Sequence, residues 1–199
     1  MNRDEQFRSV LKMKAWAKEK LEKNPRRKEK TKEYSNGELL KVGDTEYKLS
    51  ISFATKHSSS ARLQDKTIYL GVSSELSKEA QNRHISSLLS RIIARQRISM
   101  LKEKIRALNE RHFNQKINKI FFKNHHSKWG SCSANGNINI STRLLFAPDD
   151  VLEYICIHEL AHLIEHNHSD RFWALVEKAM PDYKEKEKWI KEQGSDIGF

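Results

Sequence analysis

Cysteine, proline and glycine are scarce in this chain: two, three and seven among 199 residues. Two cysteines, Cys132 and Cys156, are too few for a disulfide framework or a four-thiolate zinc site, which points to a reducing compartment. So little proline and glycine excludes collagen-like and Pro/Gly-rich low-complexity chains. No uncharged run approaches the ~18 residues that a membrane helix needs. The first residues, MNRDEQFRSVLKMKAWAKEK, carry charge throughout and lack the apolar core of a signal segment, so a cytoplasmic location is expected. A hydrophobic fraction of only 37% beside 32% charged residues fits long exposed helices, and the length suits one domain, alone or with a small appendage.

Positive charge is what the chain has in excess, with a net value of +11. It is unevenly spread. Residues 1–33 carry 12 Lys/Arg against 6 acids and residues 82–123 carry 11 against 2, whereas residues 124–199 carry 8 against 12. Such segregation suits a polyanionic partner, DNA among them, although solvated Lys-rich helix faces produce the same pattern.

Residues 4–23 can form an amphipathic helix, which the Pro-containing, charged run 24–37 then ends. EYKLSISF alternates Tyr47, Leu49, Ile51 and Phe53 as a half-buried strand does, after a Gly43-Asp44 turn, and KTIYLGV (66–72) reads as a second strand. A long helix is predicted over 74–112. Ile85, Leu88, Leu89, Ile92, Gln96, Leu101, Ile105 and Leu108 follow a 3- or 4-residue step on one side, with Arg83, Arg91, Arg95, Lys102 and Arg106 opposite. Strand patterning returns around 118–141, where Asn135-Gly136 signals a hairpin turn. Pro148, Asp149 and Asp150 open another helix, with acids where its dipole favours them. A helix beginning at Ser169 or Asp170 and one over 182–194 close the chain. The order implies a mixed α+β domain.

The most informative stretch is HELAHLIEHNHSDRFW, residues 158–173, with four of the nine histidines. His158-Glu159-x-x-His162 puts two imidazoles at i and i+4 on one helix face, where they can reach a common metal. Glu159 can then take a proton from a water that attacks a carbonyl, in a site where zinc lowers that water's pKa to about 7. A hydrolytic site needs a third ligand. His166 is one helical step further on, but on an unbroken helix it would lie ~12 Å from His158 along the axis, at ~1.5 Å per residue. His168 follows Asn167, a residue suited to leaving a helix in a left-handed conformation, and from there the chain can fold back over the site. A purely structural zinc site and a solvated helix with incidental histidines are the competing readings.

The stretch from Trp129 to Gly194 closely resembles the YgjP-like family of metal-dependent hydrolases, relatives of the SprT-like and WLM peptidases in the zincin group. The residues that carry the resemblance are Trp129-Gly130-Ser131-Cys132, Asn139, Arg143, Pro148, Tyr154, the His-Glu-x-x-His helix, Asn167-His168-Ser169, Phe172-Trp173 and Pro181-Asp182-Tyr183. It is specific over 127–194, recognisable from about 44 and faint over 1–43. It implies a zincin-like metallopeptidase fold, with a small β-rich N-terminal region, a long helix, a β-hairpin beside the active-site helix and C-terminal helices. It implies Zn2+ held by His158, His162 and His168, Glu159 as catalytic base, and a peptide or protein substrate. SprT-like relatives act on proteins crosslinked to DNA, which would give the basic stretches a meaning.

The expected layout is therefore a basic helix and linker over 1–36 and a metallopeptidase domain over 37–199. Its β-rich part covers 44–72, its long helix 74–112 and its catalytic part 117–194. An edge strand of the hairpin could pair with an extended peptide. His125 and His126 are candidates for stabilising an oxyanion, Cys132 is expected as a packed structural thiol, and Phe172 and Trp173 as packing for the third-ligand segment. The rival class is a nucleic-acid-associated binding protein whose zinc site is structural or inactive.

Overall fold

The computed structural model describes residues 32–55, 59–125 and 127–199. The helix expected over 4–23, residues 24–31 of the linker and His126 lie outside the described residues. Four strands come first: β1 (Leu39–Val42), β2 (Thr45–Ala54), β3 (Ser60–Gln64) and β4 (Thr67–Ser73). They form a sheet in the order β1-β2-β4-β3, with β2 and β4 parallel and the outer pairs antiparallel. Sequence patterning identified β2 and β4 alone. β3 is an edge strand with no fully buried residue, and its turn to β4 uses Asp65-Lys66 at φ 47° and 61° in place of the Gly or Asn that marks such turns. Tyr47, Leu49 and Ile51 face the core as expected, but Phe53, near the strand end, is exposed.

The long helix, α1, runs Lys78–His112. It begins four residues after the predicted start because Ser77 caps it, its hydroxyl accepting from the Ala80 N–H at 3.3 Å. Its buried side serves two cores in series. Ile85, Leu88, Leu89 and Ile93 pack on the β1–β4 sheet, while Leu101, Ile105 and Leu108 pack on the C-terminal half. Ile93 takes the position expected of Ile92, and Gln96 is exposed. Arg83, Arg91, Arg95 and Arg106 face solvent, as their spacing predicted, with Lys102 partly covered.

A second sheet contains β5 (Lys119–Lys123), β6 (Gly130–Cys132) and β7 (Asn137–Ser141) in the order β5-β7-β6. β6 and β7 form the anticipated hairpin through Gly136, at φ +71°, and β5 adds parallel to β7. Three helices follow: α2 (Asp149–Ala161), α3 (Asp170–Ala179) and α4 (Tyr183–Gln193). Pro148 precedes α2 and Ser169 caps α3, accepting from the Phe172 N–H. The start of α2 is tied down by Lys104 on Asp149 at 2.7 Å and Lys186 on Asp150 at 2.9 Å. α2 packs on α1, β6, β7, α3 and α4, which makes it the centre of the C-terminal half. The whole is α+β, and among the described residues no helix is long and apolar enough to cross a membrane.

Burial at position 93 is directly testable. Ile93→Ala should lower stability by about 2–5 kcal/mol in urea unfolding, the usual cost of emptying a packed aliphatic site, and Ile92→Ala by clearly less. Equal losses would contradict the α1 register.

Candidate metal centre

His158 lies in the last turn of α2, His162 caps its C-terminus and His168 follows on the segment leading to α3. One ligand nitrogen from each falls within 4.8 Å of the others. The Nε2 atoms of His158 and His168 are 3.1 Å apart. A tetrahedral site with zinc–nitrogen bonds of ~2.0–2.1 Å spaces its nitrogens about 3.3 Å apart, so the donor set fits zinc. His162 Nδ1 lies 3.1 Å from the Glu165 carbonyl, which can only accept. That contact fixes the proton on Nδ1 and leaves Nε2 free as a ligand, the support that metal-bound imidazoles commonly receive.

The route to His168 differs from the one expected. Asn167 is not left-handed; the described non-glycine residues with positive φ are Asp65, Lys66 and Asn114. The chain leaves the helix earlier, at Ala161, through a tightened turn in which Leu163 and Ile164 donate to the carbonyls three residues back, each at 3.0 Å. His166 accordingly points elsewhere, into a cavity beyond the helix end.

An aromatic shell holds the imidazoles. The Phe172 ring, fully buried, lies 4.9, 4.5 and 4.8 Å from the rings of His158, His162 and His168. Trp173 stacks on His168 and on Tyr183, Tyr183 stacks on Tyr154, and Tyr154 meets the edge of His158. The packing role expected of Phe172 and Trp173 is what they perform. Burial, reinforced by His162 and His168, drives the His158 pKa down to about 3, and burial also lowers that of His162. Both are therefore neutral near pH 7 and ready to ligate.

Glu159 is buried against the hairpin. A side chain on Gly130 would come within 2.4 Å of its carboxylate, so only glycine fits there. Burial raises the Glu159 carboxyl to about 8, opposed by the Lys128 charge and by a hydrogen bond from the Cys132 N–H. Its Oε2 is buried without a hydrogen-bond partner, and a dication beside it would favour the charged form. Trp129 and Ser133 pair with β7 through their backbones, at 2.8 and 3.0 Å. By strand alternation Gly130 and Cys132 then turn their backbone groups to the free edge, on the Glu159 side. Trp129 is held by the Arg143 guanidinium, 4.1 Å above its ring, and by Gly194, whose carbonyl accepts from the same arginine.

Cys132 is only half-buried, and burial, with the Glu159 charge, pushes its thiol up to about 11, against a reactive role. His125 lies two residues past the end of β5, its carbonyl accepting from Ser141 Oγ.

The family described as YgjP-like, metallopeptidase domain, matches residues 1–193. The chain belongs to this family. Its centre is a His-Glu-x-x-His arrangement with a third histidine, a donor set that matches a zinc metallopeptidase site. Two solved structures are similar to this YgjP-like chain. One is the crystal structure of the metallopeptidase zymogen of Pyrococcus abyssi abylysin, 25% identical over 47% of this chain and 94% of that one, with a TM-score of 0.43. The other is that of Methanocaldococcus jannaschii jannalysin, 22% identical over 46% and 94%, with a TM-score of 0.41. No curated protein matches the chain.

Buried Glu159 makes a prediction for chelator-treated protein. Its folded pKa of about 8 exceeds the ordinary 4.5, so its contribution to stability is fully present below pH 4.5 and is lost as pH rises through 8. Glu159→Gln lacks this titration, so it should gain in melting temperature relative to wild type between those limits. A difference constant with pH would contradict the burial of the carboxylate.

Proposed function

We propose that this chain is a zinc-dependent peptidase in which His158, His162 and His168 hold the ion and Glu159 is the general base. The observation that carries this reading is the convergence of three ring nitrogens within 4.8 Å, beside a buried carboxylate with one unpartnered oxygen. Zinc bound there supplies a Lewis acid and a water acidified to about pKa 7. Glu159 receives the proton at its free oxygen and can return it to the leaving amine. The edge groups of Gly130 and the Cys132 carbonyl align an extended peptide by strand addition, and Gly130 leaves the carboxylate room. The Trp129–Arg143 stack keeps that strand against the helix. A cytoplasmic setting belongs to the same reading, supported by two free thiols.

Glu159→Gln should retain stoichiometric zinc and lose ~10²–10⁴-fold in peptide turnover, the usual contribution of a general base. His168→Ala should lose most of its zinc, and His166→Ala should keep it. Zinc loss in the His166 variant with retention in the His168 variant would overturn the ligand set, and an undiminished rate in Glu159→Gln would remove the base.

A polyanion such as DNA is a second partner favoured by a separate observation, the exposed row Arg83, Arg91, Arg95 and Arg106 along α1. We read it as a sequence-independent electrostatic surface, which is also what the binding-protein alternative would use. Affinity for duplex DNA should fall steeply with salt, and Arg91→Glu with Arg95→Glu should flatten the salt slope. Absence of wild-type binding at about 50 mM salt, where counterion release is strongly favourable, would leave these arginines as solvated surface.

A further inference from the structure

His166, one helical step past His162, is not part of the metal cluster. It lines a cavity of about 570 Å³. Three segments build this cavity, and two of them leave the catalytic machinery directly. The turn Ser133–Gly136 continues β6 past Cys132, and Leu163 and His166 continue α2 past His162. The third is the loop 115–118 that enters β5, including Lys116 and Asn118.

The walls are fixed before any ligand arrives. Asn114, left-handed at φ 50°, donates its N–H to the Asn109 carbonyl, and the Asn109 side chain both donates to and accepts from the Gln115 backbone, at 2.8 and 3.0 Å. The Asn118 N–H donates to the Gly136 carbonyl at 2.9 Å. A Cβ on Gly136 would sit 3.0 Å from the Lys116 carbonyl, so the two loops meet in backbone contact.

The lining chemistry has one sign. Lys116, His166, Asn118, Asn135 and Ser133 offer donors, and no Asp or Glu is among the lining residues, although residues 124–199 as a whole carry more acid than base. Among the described residues no carboxylate pairs with Lys116. Gly130 marks the level of Glu159 on the edge strand, and Ser133 lies three residues on, about 10 Å at roughly 3.3 Å per residue. A peptide paired antiparallel to β6, the more stable mode, reaches this level two or three residues before its scissile bond.

We propose that this cavity is a substrate subsite that selects an aspartate or glutamate side chain two or three residues N-terminal to the bond cut. The inference rests on the peptidase reading above. Lys116 supplies the charge, the neighbouring amides and Ser133 supply hydrogen bonds, and His166 closes the side nearest the zinc helix.

Two experiments separate this claim from the reading beneath it. Cleavage of a mixed peptide library by the zinc-loaded full chain should show enrichment of Asp and Glu at that position, and Lys116→Glu should turn the preference to Lys and Arg. Reversal is a readout that loosening of the loop would not produce. Independently of turnover, zinc-loaded Glu159→Gln should bind a peptide with Glu at that position about three- to fivefold tighter than its Gln counterpart, the size of an exposed ion pair. Adding Lys116→Glu should abolish or invert that ratio. Cleavage with no acidic preference, or a preference untouched by Lys116→Glu, overturns the subsite and leaves the peptidase. Absence of cleavage by wild type together with the expected binding ratio overturns the peptidase and keeps the site, and an equal affinity for both peptides overturns the subsite whatever the turnover.

Discussion

Three imidazoles can meet at one point only if something holds them there against their preference for water, and Phe172 is that residue. Its buried ring lies within 4.9 Å of all three histidine rings. Burial by this ring and its neighbours is what keeps His158 deprotonated and the ligand set ready for a cation. The position of Phe172 depends in turn on the start of α3, where Ser169 accepts its N–H. A cap one residue after His168 thus fixes both the third imidazole and the ring that supports all three.

The other side of the centre is built by β6. Gly130 and the Cys132 N–H meet the Glu159 carboxylate, so the residue that would move the proton is held by the strand that would hold the peptide. Burying that carboxylate favours its neutral form, and a cation beside it offsets this. Metal and base are therefore coupled. Without the ion Glu159 tends to keep its proton, and with it the carboxylate can serve as a base. Arg143, laid over Trp129 and bonded to the Gly194 carbonyl, ties this strand to the end of α4.

Much of this was legible in the sequence because it is periodic or local. The i, i+4 spacing of His158 and His162, the caps of α2 and α3 and the Asn135-Gly136 turn each have a short-range physical signature. Helix rise argued against His166 and the family resemblance named His168, yet the expected exit through Asn167 was wrong. A helix can tighten its last turn with no marker residue, and this one does so at Leu163 and Ile164. β3 was missed because an edge strand with no fully buried residue, joined to β4 by a turn of Asp65 and Lys66, carries no strong pattern, and β1 because its alternation of Leu40 and Val42 spans only four residues. The Gly130–Glu159 contact and the Glu165 carbonyl on His162 were out of reach altogether. One joins residues far apart in the chain, and the other uses a backbone atom that every residue has.

The central claim, that three imidazoles converge on one zinc ion, is tested most directly by the zinc K-edge X-ray absorption spectrum of the zinc-loaded protein in solution. The account predicts a first shell of three imidazole nitrogens and one oxygen, all at ~2.0–2.1 Å by the usual zinc distances, with the outer-shell scattering of three imidazole rings behind it. A sulfur scatterer at about 2.3 Å, which would bring Cys132 into the first coordination sphere, or fewer than three imidazoles, would contradict it.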